Sequence, residues 1–270
     1  MAAFGSDFQK YTSPFLYAPR NPAGLWSGLG FLVLIGLVYS ILQGIVGLAI
    51  SVFGFQAGLG DPSAIIKASI LGVLPASVPI AAFVWWVSKF GGGVPIDVLA
   101  LRLPRLGWVG WPLVVIGFVI AMYVAFVAII FVFQIDISQF QPGADEDLEA
   151  QDLVRQGMFE LAQEPKLYWL AFLSVAVGAP LGEELIFRGY MFSWLSKTRV
   201  GLTGAALATS AVWALIHKGT GPWFLVGVLF VMGIALSLLL IRFGSLWVTM
   251  ICHGAWNALA SFTIFGVSNQ

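Results

Sequence analysis

Glu183 and Glu184, with Arg188 four residues on, lie inside a run that is otherwise apolar from Leu167 to Leu195. In hydrocarbon each such charge costs roughly 2.5 to 3.5 kcal/mol on insertion scales, so an ionisable group held there usually has a partner and a task. No other Asp or Glu falls in an apolar stretch, and none follows Glu184. The two histidines, His217 and His253, both occupy apolar stretches downstream, and Asn257 follows His253 by four residues. Either histidine alone reads as a hydrogen-bonded packing residue. Two of them sharing one bilayer core with two carboxylates read as a site.

A glutamate beside an imidazole can take a proton from water and relay it. A carboxamide and a second imidazole can donate to the oxyanion that forms when water attacks an amide carbonyl, a role worth about 3 to 4 kcal/mol per donor. Together these groups suit hydrolysis of a peptide bond. Glu183 and the two histidines are alternatively three ligands for Zn²⁺ with an open water position, although the spacing His-Glu-x-x-His is absent. Serine chemistry is disfavoured because no Gly-x-Ser-x-Gly occurs. Aspartyl chemistry is weaker still, since no Asp lies in a span.

Helical spacing organises these residues. Glu184 and Arg188 share a face and can neutralise each other, leaving Glu183, about 100° around, to face something else. Trp213 and His217 share a face by the same spacing, as do His253 and Asn257. Glu183 is 16 residues before Arg199 and His217 is 18 after it. At ~1.5 Å per residue the two stand within about 3 Å of one level. His253, 9 residues beyond Gly244, reaches that level if the turn at Lys197 to Arg199 protrudes about 10 Å further.

The surrounding chain must supply membrane helices. Of 270 residues 59% are hydrophobic and 10% charged, and mean hydropathy is +0.93, against about 25% charged residues in soluble domains. The expected fold is all-α, a polytopic transmembrane bundle embedded in a lipid bilayer. Zero net charge argues against a nucleic-acid partner. A polar N-terminal segment, 1–24, precedes N-terminal transmembrane helices within 25–134, an acidic extramembrane loop at 135–166, and a core at 167–267. Apolar spans run about 25–53, 64–87, 107–134, 167–195, 202–217, 222–241 and 245–267. That makes seven, or eight if the fourth bends at Pro180.

Ser40 and Gly44 form a small-xxx-small pair that marks a helix contact. Pro75 and Pro79 predict a kink in the second span that serves packing. Residues 91–106 read as a basic loop carrying Arg102 and Arg105. Asp145-Glu146-Asp147 lacks the spacing of a calcium loop and reads as solvated, with a short surface helix at 149–162 as an option. With the N-terminus cytoplasmic, eight loop cations fall inside and four outside, which favours that orientation.

Three motifs in order, Glu183-Glu184-x-x-x-Arg188, Trp213-x-x-x-His217 and His253-x-x-x-Asn257, resemble those of the CPBP intramembrane proteases, the CAAX prenyl endopeptidase and bacteriocin-processing (Abi) family. The flanks agree: Ala179-Pro180, Phe187-Arg188-Gly189 and Gly244-Ser245-Leu246-Trp247. The likeness covers about residues 167–265. It implies a glutamate-dependent endopeptidase in which Glu183, assisted by His217, activates water, His253 and Asn257 stabilise the oxyanion, and Glu184 and Arg188 order the site or help seat the substrate. Trp213 stands where the family motif usually has Phe. The resemblance leaves zinc use open and implies a peptide or protein substrate reached from membrane or cytoplasm, in a bacterial inner membrane. Bacteriocin immunity or a membrane scaffold on the same fold, and a proton-coupled transporter, are the alternatives. A transporter should show paired repeats, and none is visible.

Overall fold

The computed structural model describes residues 24–57, 61–90, 94–104, 106–136, 149–218 and 222–266. Nearly all of the polar N-terminal segment, Arg105 and the Asp145–Asp147 cluster lie outside the described residues. Within them all regular structure is helical. Lipid offers no partner for a backbone N–H or C=O, so an apolar spanning segment satisfies its own by coiling.

The helices are α1 (Leu25–Ala49), α2 (Pro62–Val87), the short α3 (Pro95–Val98), α4 (Gly107–Val132) and α5 (Glu149–Gln163). The run Pro165–Ser196 forms α6, followed by α7 (Gly201–Ile216), α8 (Trp223–Phe243) and α9 (Leu246–Gly266). Five of these, α1 (extended to Gly54), α2, α4, α6 and α8, are long and apolar enough to cross a membrane. α7 is apolar but shorter, and α9 carries the polar His253 and Asn257. The chain is a multi-pass integral membrane protein.

α6 is the central rod. It is 56% buried, against 6% for α1 and 11% for α4, and it packs against α2, α7 and α9. It stays one helical run of 32 residues through Pro180, with π turns at Ser174–Gly178 and Leu185–Met191. Glycines set its distance from α2: a Cβ on Gly178 would stand 2.6 Å from Leu74 Cα, and one on Gly182 3.0 Å from Ser77 Oγ.

Proline in α2 leaves a carbonyl that α6 satisfies. Pro75 has no N–H to give the Leu71 carbonyl four residues back. The buried Ser174 hydroxyl donates to that oxygen at 3.0 Å. α2 remains α-helical through both Pro75 and Pro79.

Two sequence expectations change. Ser40 is exposed and Gly44 has open space beside it, so this pair marks no contact in the fold. The face of α1 that meets α2 instead carries Val46 and Gly47, within 3.3 and 3.5 Å of a Cβ on Gly72. Residues 94–104 are likewise no free basic loop. Val98, Leu99 and Ala100 are buried, Arg102 pairs with Asp97, and the Ala100 and Leu101 carbonyls accept from Leu246 N–H at 2.8 Å and Trp247 Nε1–H at 3.2 Å. The start of α9 is thereby pinned. The acidic region includes a helix, α5, whose Glu160 meets Lys67 of α2 at 2.6 Å.

Candidate active site

The two adjacent glutamates look in different directions. The α segment Ala179–Glu184 passes into a π turn immediately after Glu184, and neighbours on a helix diverge by about 100°. Glu183 faces the C-terminal end of α7: its Oε2 accepts Trp213 Nε1–H at 2.5 Å and lies 3.9 Å from His217 Nε2. Glu184 faces α9: its Oε1 accepts from Arg188 Nη1 at 3.0 Å and from His253 Nδ1 at 3.0 Å.

Exposure separates the two halves. The side chains of Glu184 and Arg188 are 0% exposed and that of His253 is 3%. Glu183 retains 14% and His217 24%. The Glu183–His217 half is the more open of the two, with Glu184, Arg188 and His253 buried beside it.

Trp213 joins the halves. Its ring centroid is 5.2 Å from that of His217 and 5.4 Å from that of His253, both edge-on, and Arg188 Cζ lies 4.5 Å from it. Arg188 Nε and Nη2 have no hydrogen-bond partner among the described residues, and the π face of Trp213 adds to the stabilisation that the Glu184 carboxylate gives the cation. Gly233 leaves room for this guanidinium, since a Cβ there would sit 3.0 Å from Nη2.

Hydrogen bonds assign the imidazole tautomers. At the end of α7 the His217 N–H turns to the Ala214 carbonyl, and Nδ1 approaches the Trp213 carbonyl at 2.7 Å. A carbonyl only accepts, so Nδ1 carries the proton. A neutral His217 therefore presents the Nε2 lone pair to Glu183. Their 3.9 Å separation exceeds a direct hydrogen bond. His253 Nδ1 likewise donates to Glu184, so its Nε2 bears hydrogen only in the doubly protonated ring.

Charge counting constrains the whole. Two carboxylates and one guanidinium leave one negative charge, so the cluster is neutral when it holds one further proton.

Asn257 is tied to the helix backbone. Its Nδ2 donates to the Val175 carbonyl at 3.0 Å. In the π turn the Ala179 N–H goes to Ser174, and Pro180, next in line for Val175, has no N–H to give. Asn257 fills that deficit with one N–H and retains the other. Beside it, a Cβ on Gly254 would stand 2.5 Å from the Ala176 carbonyl, so α9 approaches α6 closely just past His253.

Sequence reasoning passed over the Trp213 N–H, counting only its ring. The signal was present as an indole where the resembled motif has Phe. It also passed over Tyr39 and Gln43, two polar side chains in an apolar first span. Among the described residues no three His, Cys, Asp or Glu side chains group closely enough to hold a metal ion. Glu183, His217 and His253 thus do not converge as three ligands of one ion in this conformation.

Neither the curated proteins nor the solved structures yield a match to this chain. Residues 165–259, which hold Glu183, Glu184, Arg188, Trp213, His217, His253 and Asn257, match the family model described as type II CAAX prenyl endopeptidase Rce1-like. Over that segment the chain is similar to that family, in keeping with the resemblance of its three motifs to the CPBP intramembrane proteases.

Proposed function

We propose that this protein is an intramembrane endopeptidase in which Glu183 and His217 activate a water molecule against a substrate peptide bond. The observation that carries the reading is the accessible Glu183–His217 pair, 3.9 Å apart, with Glu183 held by Trp213. A water between them donates one proton to Glu183 while its oxygen bonds to the substrate carbonyl carbon, and the carbonyl π pair moves to oxygen. His253 Nε2–H, present when the ring holds the cluster's extra proton, and the uncommitted N–H of Asn257 are the donors for that oxyanion. The anion then collapses, the C–N bond breaks, and the proton on Glu183 passes to the leaving nitrogen, with His217 as relay. Glu184 and Arg188 fix His253 and hold the neighbouring charge. No step runs through a metal.

The substrate in this reading is a peptide or protein that reaches the site from the membrane or the cytoplasm. The support is the burial of the cluster among lipid-embedded helices together with the Rce1-like match. The test is hydrolysis of a quenched fluorescent peptide by purified protein in detergent. Glu183→Gln should abolish cleavage with the melting temperature preserved, and a chelator should leave wild-type cleavage intact. Undiminished cleavage by Glu183→Gln ends the assignment of the base; loss with chelator, restored by zinc, ends the metal-free mechanism.

A further inference from the structure

One edge of the Arg188 guanidinium is not used by the contacts of the site. A guanidinium is a planar fork of five N–H donors. Nη1 is spent on Glu184 at 3.0 Å, whereas Nε and Nη2, which share one edge of the plane, have no hydrogen-bond partner among the described residues. The side chain is fully buried. A buried donor left unpaired is costly, more so on a charged group, and native interiors rarely tolerate it.

Ser210 of α7 faces the same place. It is fully buried, and its Oγ likewise has no partner among the described residues. The neighbouring Thr209 donates to the Ala205 carbonyl four residues back at 2.8 Å, and Ser237 of α8 donates to the Gly233 carbonyl at 2.9 Å. Ser210 makes no such bond to its own helix. Its hydroxyl turns instead toward Gly233 of α8, where a Cβ would stand 2.8 Å from Ser210 Oγ and 3.0 Å from Arg188 Nη2. Two buried polar atoms from different helices thus flank one spot that glycine keeps free of a side chain. They are less than about 6 Å apart, a span that one water covers with hydrogen bonds of about 2.9 Å.

The occupant of that spot must accept from the fork. An anion would suit the donors but not the charge, because two carboxylates already outnumber the one guanidinium, and burying a further negative charge beside them is unfavourable. Water is neutral, accepts from N–H and donates to a hydroxyl oxygen, and a buried water typically makes about three such bonds. We propose that Arg188 and Ser210 hold one buried water where α6, α7 and α8 meet. It accepts from the Nε and Nη2 edge and donates to Ser210 Oγ, which makes Ser210 a positioning residue: the guanidinium is fixed from behind with Nη1 on Glu184. Glu184 in turn holds His253, so the effect on cleavage rests on the proposed roles of Glu183 and His253, whereas the water site does not.

A crystal structure of the whole chain at a resolution that shows ordered water, with a bromide-soaked crystal beside it, identifies the occupant. The expected result is one peak within hydrogen-bond distance of Arg188 Nη2 and Ser210 Oγ, with no anomalous bromide signal there. A direct Ser210–Arg188 hydrogen bond without a peak, or a bromide peak, overturns the proposal. In detergent, with isotope-labelled arginine, the guanidinium infrared bands of Ser210→Ala should differ from wild type in a label-sensitive way. The same variant should lower kcat for peptide cleavage roughly 3- to 10-fold with KM unchanged, about the worth of one net hydrogen bond. Unmoved arginine bands and unchanged kcat, with Glu183→Gln inactive, overturn the positioning role. Full activity of Glu183→Gln instead refutes the underlying assignment of the base, and the peak and the arginine bands still decide the water site. Gly233→Ala fills the spot and should abolish the peak; should that variant fail to fold, Ser210→Ala carries the same test.

Discussion

Replacing Trp213 by Phe keeps a flat apolar ring among Arg188, His217 and His253 and removes one thing of consequence, the indole N–H that reaches Glu183 at 2.5 Å. A hydrogen bond to a charged acceptor contributes about 1.5 to 3 kcal/mol net. At 1.36 kcal/mol per tenfold in rate, its loss corresponds to roughly a 10- to 150-fold fall in kcat/KM if the bond matters fully in the transition state. Trp213 is 1% exposed, so the smaller ring also leaves a small void that costs roughly 1 kcal/mol of stability. Peptide cleavage and thermal unfolding measured on the same purified sample separate the two effects. The outcome is not foregone, because the resembled motif carries Phe at this position. Undiminished kcat/KM in a folded Trp213→Phe protein would show that Glu183 is oriented without the indole, and a rise confined to KM would place Trp213 in substrate binding instead.

Two further outcomes concern the scaffold. Ser174→Ala removes the donor to the Leu71 carbonyl and should destabilise the protein by about 1 to 3 kcal/mol, read as a lower melting temperature; adding Pro75→Ala restores a backbone N–H there and should shrink that penalty, and equal penalties in both backgrounds would refute the pairing. Outside the membrane, the hydrogen bond from Lys67, helped by Ser63 and Gln156, holds Glu160 below the ordinary carboxylate range despite some burial. A depressed carboxyl contributes stability above that range and loses it as pH falls through its lower native value. The pair is partly exposed, so the contribution is below about 1 kcal/mol. Glu160→Gln should flatten the acid side of a melting-temperature profile, and an unaltered profile counts against the interaction.

The helical architecture was legible because hydrophobic runs of spanning length admit few other solutions. The Glu184–Arg188 ion pair was legible for a similar reason: spacing of four puts two side chains on one face whatever surrounds them. What could not be read depends on neighbours remote in sequence. Ser40 and Gly44 met the local pattern for a contact, but the partner helix lies against Val46 and Gly47. Residues 94–104 looked polar because Arg102 was counted and Asp97 was not paired with it. Asn257 presented itself as a donor awaiting an oxyanion, and half of its donating capacity goes to a carbonyl exposed by a π turn and Pro180. No local pattern announces a π turn.

Adjacency of the two acids explains why the site has two parts. Two carboxylates one residue apart on a helix cannot point the same way, so one is available to the partly exposed end of α7 and the other is committed to Arg188 and α9. The committed one takes on a formal cation and an imidazole; the available one accepts from Trp213 and stands 3.9 Å from the His217 ring nitrogen. Each carboxylate would serve poorly in the other's place, since a base needs lone pairs that are not already engaged and a buried guanidinium needs a counter-charge that does not leave. Exchanging the roles would require turning α6 by about 100°. The close glycine contacts at Gly178 and Gly182 oppose that rotation, and so the packing of α6 against α2 decides which glutamate faces the partly exposed end of α7.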